Sequence, residues 1–153
     1  MSAQRLKRSE EDEIIAKALA ILTKRNAPKR KFNNPDNTRA YLRLSIGEAR
    51  NEMFGIMFLD TQHGVIKDEV LFTGTIDGTP VYPRVVVQKA LEYNAAAVIL
   101  YHNHPSGVAE PSMTDAAITK RLIEALKLID VRTLDHFVVS GGESVSMAER
   151  GLM

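Results

Sequence analysis

Two histidines separated by one residue, His102 and His104, stand at the end of an apolar run that begins at Ala95. Side chains at positions i and i+2 of an extended strand point to the same face, so both imidazoles can reach one cation. Asp115 follows three residues after Ser112, a residue suited to cap a helix. Two neutral histidines and one carboxylate leave the fourth tetrahedral position of a zinc ion to water, as in catalytic sites. Zinc lowers the pKa of such a water to about 7 and so produces a nucleophile at neutral pH.

Each part of this pattern also has a simpler interpretation. An isolated His-x-His at a strand end is more often hydrogen-bonded than metal-bound, and Ser-x-x-Asp alone is more often a capping box. The combination of both with an apolar strand favours the metal site. The chain contains no cysteine, which excludes disulfides, a cysteine nucleophile and every thiolate zinc site. Any metal must therefore be bound by His, Asp or Glu.

Apolar spacing predicts the elements that position these residues. A central strand before His102 is apolar throughout, as expected of a strand covered on both faces. A second helix, capped by Asp36 just after Pro35, is expected to turn Tyr41, Leu42 and Leu44 towards the body. The alternation of strands and helices predicts an α/β sheet, with the first helix as an appendage. The predicted elements are helices over about 10–24, from Asp36, over 83–94 and after Ser112, and strands over 52–59, 65–72, 95–101 and 134–139.

Length and composition predict one soluble domain. The chain has 153 residues, 44% hydrophobic and 25% charged, which is ordinary for a globular protein. No stretch reaches the roughly 18 apolar residues that a membrane helix needs, and the first residues lack a secretory apolar segment. We therefore expect a cytoplasmic protein that makes no contact with a membrane.

The charge is distributed unevenly along the chain. Residues 1–50 hold 12 Lys and Arg against 6 Asp and Glu, whereas residues 51–153 hold 8 against 13. Five of the eight residues from Lys24 to Lys31 are basic, without periodicity, which indicates a linker. This basic arm predicts weak contact with nucleic acid or an acidic partner, although a solvated tail is the commoner explanation for such a run.

The motif resembles that of a known family. His102-Asn103-His104-Pro105 followed by Ser112-x-x-Asp115 resembles the JAMM motif of the MPN+ metallopeptidases, and His-Asn-His-Pro-Ser-Gly is the form of their RadC-like branch. The resemblance implies a three-layer αβα, cytidine-deaminase-like JAB/MPN fold with a mixed sheet over residues 36–153. Residues 1–35 then form a basic N-terminal helix and linker, in a short form without the helix-hairpin-helix region. Further matches are Arg50-Asn51-Glu52-x-Phe54, Leu59-Asp60, Phe72-x-Gly74-Thr75, Pro83-Arg84, Asn94-Ala95-Ala96-Ala97, Asp135-His136 and Glu149-x-Gly151-Leu152.

Carried over residue by residue, the resemblance implies a role for five side chains. His102, His104 and Asp115 are the implied zinc ligands, Glu52 the general acid/base, and Ser112 a helper that steadies the intermediate. The expected function is that of a zinc-dependent, metallopeptidase-type hydrolase acting on an amide or isopeptide bond of a protein or peptide. The substrate itself is not inherited by resemblance, because fold and motif define chemistry and not the partner.

Two other functions stay open. One is a DNA-associated accessory protein with a zinc-binding JAB domain, and the other is a binding module that keeps zinc without turnover. A zinc nucleoside deaminase is disfavoured, because that chemistry uses cysteine ligands. The loop Gly107–Glu110 departs from the Asp-Pro-Thr spacer common in the branch. For His136 we expect a structural hydrogen bond or one to a ligand, and for His63 and Arg84 a surface position.

Overall fold

The structure is a computed structural model that describes residues 5–25, 31, 34–75 and 78–153. The predicted linker from Lys24 to Lys31 therefore lies for the most part outside the described residues, and the division of the chain at residue 35 stays a prediction. The elements are α1 (Arg8–Arg25), α2 (Pro35–Ile46), β1 (Met53–Leu59), β2 (Val65–Thr73), α3 (Pro83–Glu92), β3 (Ala97–Asn103), α4 (Met113–Lys127), β4 (Arg132–Val139) and β5 (Ser144–Ser146).

Five strands form one mixed sheet in the order β2-β1-β3-β4-β5. All neighbouring pairs are antiparallel except β3 and β4, which are parallel and are joined by α4. The predicted hairpin of β1 and β2 is confirmed, with a turn in which the Asp60 carboxylate accepts bonds from the backbone of Gln62 and Gly64. The short strand β5 was not predicted, because its three residues are too few to establish an alternation of polar and apolar side chains.

Two apolar layers cover the sheet. Every residue of β3 is buried, and successive side chains alternate between the two faces. Val98 and Leu100 pack with residues of α3 and α4 on one face, while Ile99 and Tyr101 pack with residues of α2 on the other. The three-layer αβα arrangement with a mixed sheet is confirmed, and it agrees with a JAB/MPN fold.

Helix α2 differs from the prediction in its cap and in one buried side chain. The cap is Asn34, whose side chain accepts a bond from the Asp36 N–H, and Pro35 occupies the first turn. Leu42 is fully buried, but Leu44 is 90% exposed, so its expected contact with the body was wrong. Residues two apart on a helix point about 200° apart, and therefore cannot both face the sheet.

Helix α1 confirms the predicted first helix, and all its described side chains are exposed. They include Ile14 and Ile15, each 56% exposed. Within the part of the chain that the structure describes, no helix combines the length and the apolar character needed to cross a membrane.

Candidate metal centre

Strand pairing brings Glu52 to the histidines. In the antiparallel pair of β1 and β3, Phe54 lies opposite His102. Glu52 stands two residues before Phe54 and His104 two residues after His102, so the same alternation places Glu52 beside His104 on the face that α3 and α4 cover. A local sequence pattern carries no information on this register, which is why only the resemblance linked Glu52 to the motif.

The ligand atoms of four side chains converge. Those of Glu52, His102, His104 and Asp115 all lie within 4.8 Å of one another, in a group that can hold a metal ion. The two Nε2 atoms of the histidines are 3.0 Å apart. Asp115 Oδ1 lies 3.2 Å from His102 Nε2, and Asp115 Oδ2 lies 3.1 Å from His104 Nε2. Glu52 Oε1 is farther away, 3.8 Å from His102 Nε2.

The first turn of α4 holds Asp115 in place. Ser112 is the N-cap, and its hydroxyl accepts a bond from the Asp115 N–H, while Asp115 Oδ2 accepts one from the Ser112 N–H at 2.8 Å. The capping box, which is the simpler interpretation of Ser-x-x-Asp, is thus present together with the ligand geometry. Burial acts to raise the pKa of Asp115, but its contacts with His102 and His104 and the hydrogen bond from the Ser112 N–H outweigh it and lower that pKa, so the carboxylate stays ionised.

Glu52 has a fixed backbone and a partly buried carboxylate. Its N–H donates to Thr75 O, and its carbonyl accepts from the Gly74 N–H and the Thr79 hydroxyl. Burial raises the pKa of the Glu52 carboxyl, against the opposing effect of the two nearby histidines. Glu52 and Ser112 both line a cavity of about 660 Å³. A carboxyl with a raised pKa at the edge of a cavity is suited to take up and release a proton.

His104 lies just beyond β3 and is oriented by the loop that follows. Its backbone N–H continues the ladder to Val139 O, and its Nδ1 lies 2.9 Å from Val108 O. A carbonyl can only accept, so Nδ1 carries the proton and Nε2 faces the cluster. The hydrogen bond with Asp115 raises the pKa of His104 above its usual value.

His102 is oriented by buried groups. It is 1% exposed, its ring stacks on that of Phe54 with centroids 5.9 Å apart, and its Nδ1 lies 2.7 Å from His136 Nε2. His136 Nδ1 lies 2.6 Å from the hydroxyl of Thr119, which in turn donates to Asp115 O at 2.6 Å. Burial holds the pKa of His136 well below its usual value, so its ring is neutral.

Asn103 holds the backbone that carries Glu52. Its side chain points to the opposite face of β3 from His102 and is fully buried. Its Oδ1 accepts a bond from the Met53 N–H at 2.6 Å, and its Nδ2 donates to Asn51 O at 3.1 Å and Ala49 O at 3.3 Å. Its role was not predicted from the sequence, although strand alternation places any residue between two ligands on the opposite face.

The structure thus brings all five candidate residues of the sequence analysis to one cavity, while their individual roles stay predictions. His136 contacts a candidate ligand, as expected. Thr119, which was not predicted from the sequence, contacts His136. Arg84 is exposed at the start of α3 and does not line the cavity, and His63 lies in the turn of the hairpin with a positive φ of 64°.

The donor set fits zinc. Two imidazole nitrogens and one carboxylate oxygen are ligands that zinc accepts, and tetrahedral zinc at about 2.0–2.1 Å holds neighbouring ligand atoms about 3.3 Å apart. The separations of 3.0–3.2 Å among His102, His104 and Asp115 approach that value. Both histidine Nε2 atoms face each other and a carboxylate, an arrangement that a cation would stabilise.

The fold and this cluster define the class of the protein as a JAB/MPN-type α/β domain with a candidate metal site. The model of the RadC-like JAB domain matches residues 32–152, and the chain belongs to that family. Similar proteins include UPF0758 proteins of Vibrio parahaemolyticus and Vibrio campbellii, each 61% identical over 120 residues, and one of Aliivibrio fischeri, 56% identical over 120 residues. These matches cover 78% of this chain and 54% of each relative, so the chain spans about half the length of these curated relatives.

Proposed function

We propose that this chain is a zinc-dependent hydrolase of the metallopeptidase type that cleaves an amide or isopeptide bond in a protein or peptide. The observation that carries the proposal is the difference between the four candidate side chains. His102, His104 and Asp115 have ligand atoms 3.0–3.2 Å apart, whereas Glu52 lies 3.8 Å from the nearest histidine nitrogen. We therefore assign the metal to the three close side chains and proton transfer to Glu52.

Glu52 and Ser112 have separate tasks in this hydrolysis. Bound at the three ligands, zinc supplies a Lewis acid and lowers the pKa of a water to about 7. Glu52 accepts the proton of the attacking water and passes it to the leaving amine. Since the Ser112 oxygen already accepts a bond from the Asp115 N–H, its own proton can point into the cavity and stabilise negative charge on the substrate oxygen.

The alternative, a DNA-associated accessory protein with a zinc-binding JAB domain, rests on the positive charge of residues 1–50. It assigns no task to the Glu52 carboxylate. Replacing this carboxylate therefore separates the two functions, because only the hydrolase needs a proton acceptor beside the three ligands. The compartment that we propose for this protein is the cytoplasm.

The test is Glu52→Gln, which keeps the size of the side chain and removes the proton acceptor. Cleavage of a peptide library, followed with and without chelator, should fall about 10²- to 10⁴-fold in the variant, because general acid/base groups typically contribute that much. The control is Glu124→Gln on the exposed surface of α4, which should cleave like the wild type. Equal cleavage by Glu52→Gln and the wild type would exclude Glu52 from the mechanism, and chelator-resistant cleavage would exclude the metal.

A further inference from the structure

The two candidate histidine ligands are oriented in different ways. His104 Nδ1 faces a backbone carbonyl, which can only accept, so this nitrogen must carry a proton. His102 Nδ1 faces another imidazole nitrogen, that of His136 Nε2, at 2.7 Å. An imidazole nitrogen either donates or accepts, so the proton position on His102 depends on what holds the proton of His136.

The contacts of Thr119 decide the direction of this chain of hydrogen bonds. Its hydroxyl lies 2.6 Å from Asp115 O, and only the hydroxyl can supply the proton between these two oxygens. The hydroxyl oxygen then accepts from His136 Nδ1, also at 2.6 Å. With its proton on Nδ1, a neutral His136 has a bare Nε2, and the 2.7 Å contact requires the proton of His102 to lie on Nδ1.

A charged His136 does not fit this environment. The ring is fully buried, with the edge-on ring of Phe54 at 5.5 Å, and its described hydrogen-bond partners are Thr119 and His102. No carboxylate is among these described partners, and an unpaired buried cation is costly. The chain of bonds therefore runs in one direction, from His102 through His136 and Thr119 to the backbone of Asp115.

We propose that Thr119 and His136 are positioning residues that keep the proton of His102 on Nδ1 and so leave its Nε2 as a free ligand. The inference deepens the proposed function, on which its metal-binding consequence rests. Hydrogen-bonding partners of metal-bound histidines commonly fix the tautomer in this way. Here the chain begins at one candidate ligand, His102, and ends on the backbone of another, Asp115, so both ligands are held by one set of bonds.

The first experiment measures the tautomers directly in metal-free protein, in which the Asp115 carboxylate, 3.2 Å from His102 Nε2, competes with His136 for the same proton. The chain contains four histidines, so long-range ¹H–¹⁵N spectra at alkaline pH can resolve each ring. We expect His102 and His136 to carry their protons on Nδ1 and to have unprotonated Nε2 atoms. A wild-type His102 with its proton on Nε2 would overturn the proposal, whether or not the protein binds zinc.

The second experiment uses Thr119→Val, which keeps the shape of the side chain and removes the acceptor for His136 Nδ1. The proton of His136 should move to Nε2, that of His102 should then also move to Nε2, and zinc affinity should fall about 10- to 100-fold. Thr119→Ser restores the hydroxyl and should bind zinc like the wild type. The matched control is Thr133→Val, because the buried Thr133 hydroxyl has no hydrogen-bond partner among the described residues.

The outcomes separate this inference from the proposed function. Zinc affinity and tautomers that are the same in Thr119→Val as in the wild type would overturn the positioning role. An equal loss of affinity in Thr119→Val and Thr119→Ser would also overturn it, because the loss would then follow packing and not the hydroxyl. A wild type that binds no zinc would contradict the proposed function, while the tautomer spectra still decide the direction of the hydrogen bonds.

Discussion

Replacing Asn103 should separate stability and proton transfer from metal binding. Asn103 lies between two candidate ligands in sequence, but its side chain contacts the backbone of Ala49, Asn51 and Met53 on the other face of β3. These bonds fix the chain on both sides of Glu52. In Asn103→Leu, the Glu52 carboxylate should therefore lose its fixed position while His102 and His104 keep theirs.

The size of the effect follows from the three lost bonds. A net contribution of about 1 kcal/mol for each bond gives a loss of about 3 kcal/mol in the free energy of unfolding. In a domain of this size, about 2–4 °C per kcal/mol converts the loss into a fall of about 6–12 °C in Tm.

Denaturant unfolding and zinc titration of the same variant test this reasoning. We expect lower stability, lower peptide cleavage and zinc affinity within about tenfold of the wild type, well short of the loss in a variant that lacks a ligand. The control is Asn37→Ala on the exposed surface of α2, which should change stability by less than about 0.5 kcal/mol. Unchanged stability in Asn103→Leu, or zinc loss equal to that of His102→Ala, would refute the separation of the two faces.

Three further predictions concern the site and the basic arm. The hydrogen bond with Asp115 raises the pKa of His104, and zinc must displace the proton of this histidine. Zinc affinity should therefore increase with pH and still increase above about pH 6.5. A competition titration that shows no change of affinity in this range would contradict the prediction. Ser112→Ala should lower the free energy of unfolding by about 1 kcal/mol, because the helix cap is lost. The rate of peptide cleavage should fall by a larger factor than the zinc content, and both can be measured on one preparation. The run from Lys24 to Lys31 should bind duplex DNA weakly, with a log-log salt slope of up to about −4.5, and a truncation starting at residue 36 that binds equally well would exclude it.

Most of the fold follows from apolar patterns that are local in sequence. The buried run before His102 predicted the central strand, and Pro83 and Ser112 predicted helix starts, because a first-turn proline and an N-cap serine act within one turn. Leu44 shows the limit of this reasoning, since apolar character alone does not tell which of two nearby residues faces the sheet. Strand β5 shows another, because a segment of three residues is too short for its apolar spacing to indicate a strand.

The residues of the candidate site also fall into two groups, those that local sequence predicts and those that depend on contacts between distant elements. His102, His104 and Asp115 were predictable because a strand end and a helix start define their directions locally. Glu52 was not, because its approach depends on the register between β1 and β3. Thr119 joins the site only through the packing of α4 on the sheet, which brings its hydroxyl to His136 from 17 residues away.

The central claim is that three side chains bind the metal and a fourth does not. The most direct measurement is elemental analysis of zinc in purified wild type, His102→Ala, Asp115→Ala and Glu52→Gln. We predict about one zinc ion per chain in the wild type and in Glu52→Gln, and almost none in the two variants that lack a ligand, because two ligands bind far more weakly than three. Equal zinc in all four proteins, or loss of zinc in Glu52→Gln, would contradict the account.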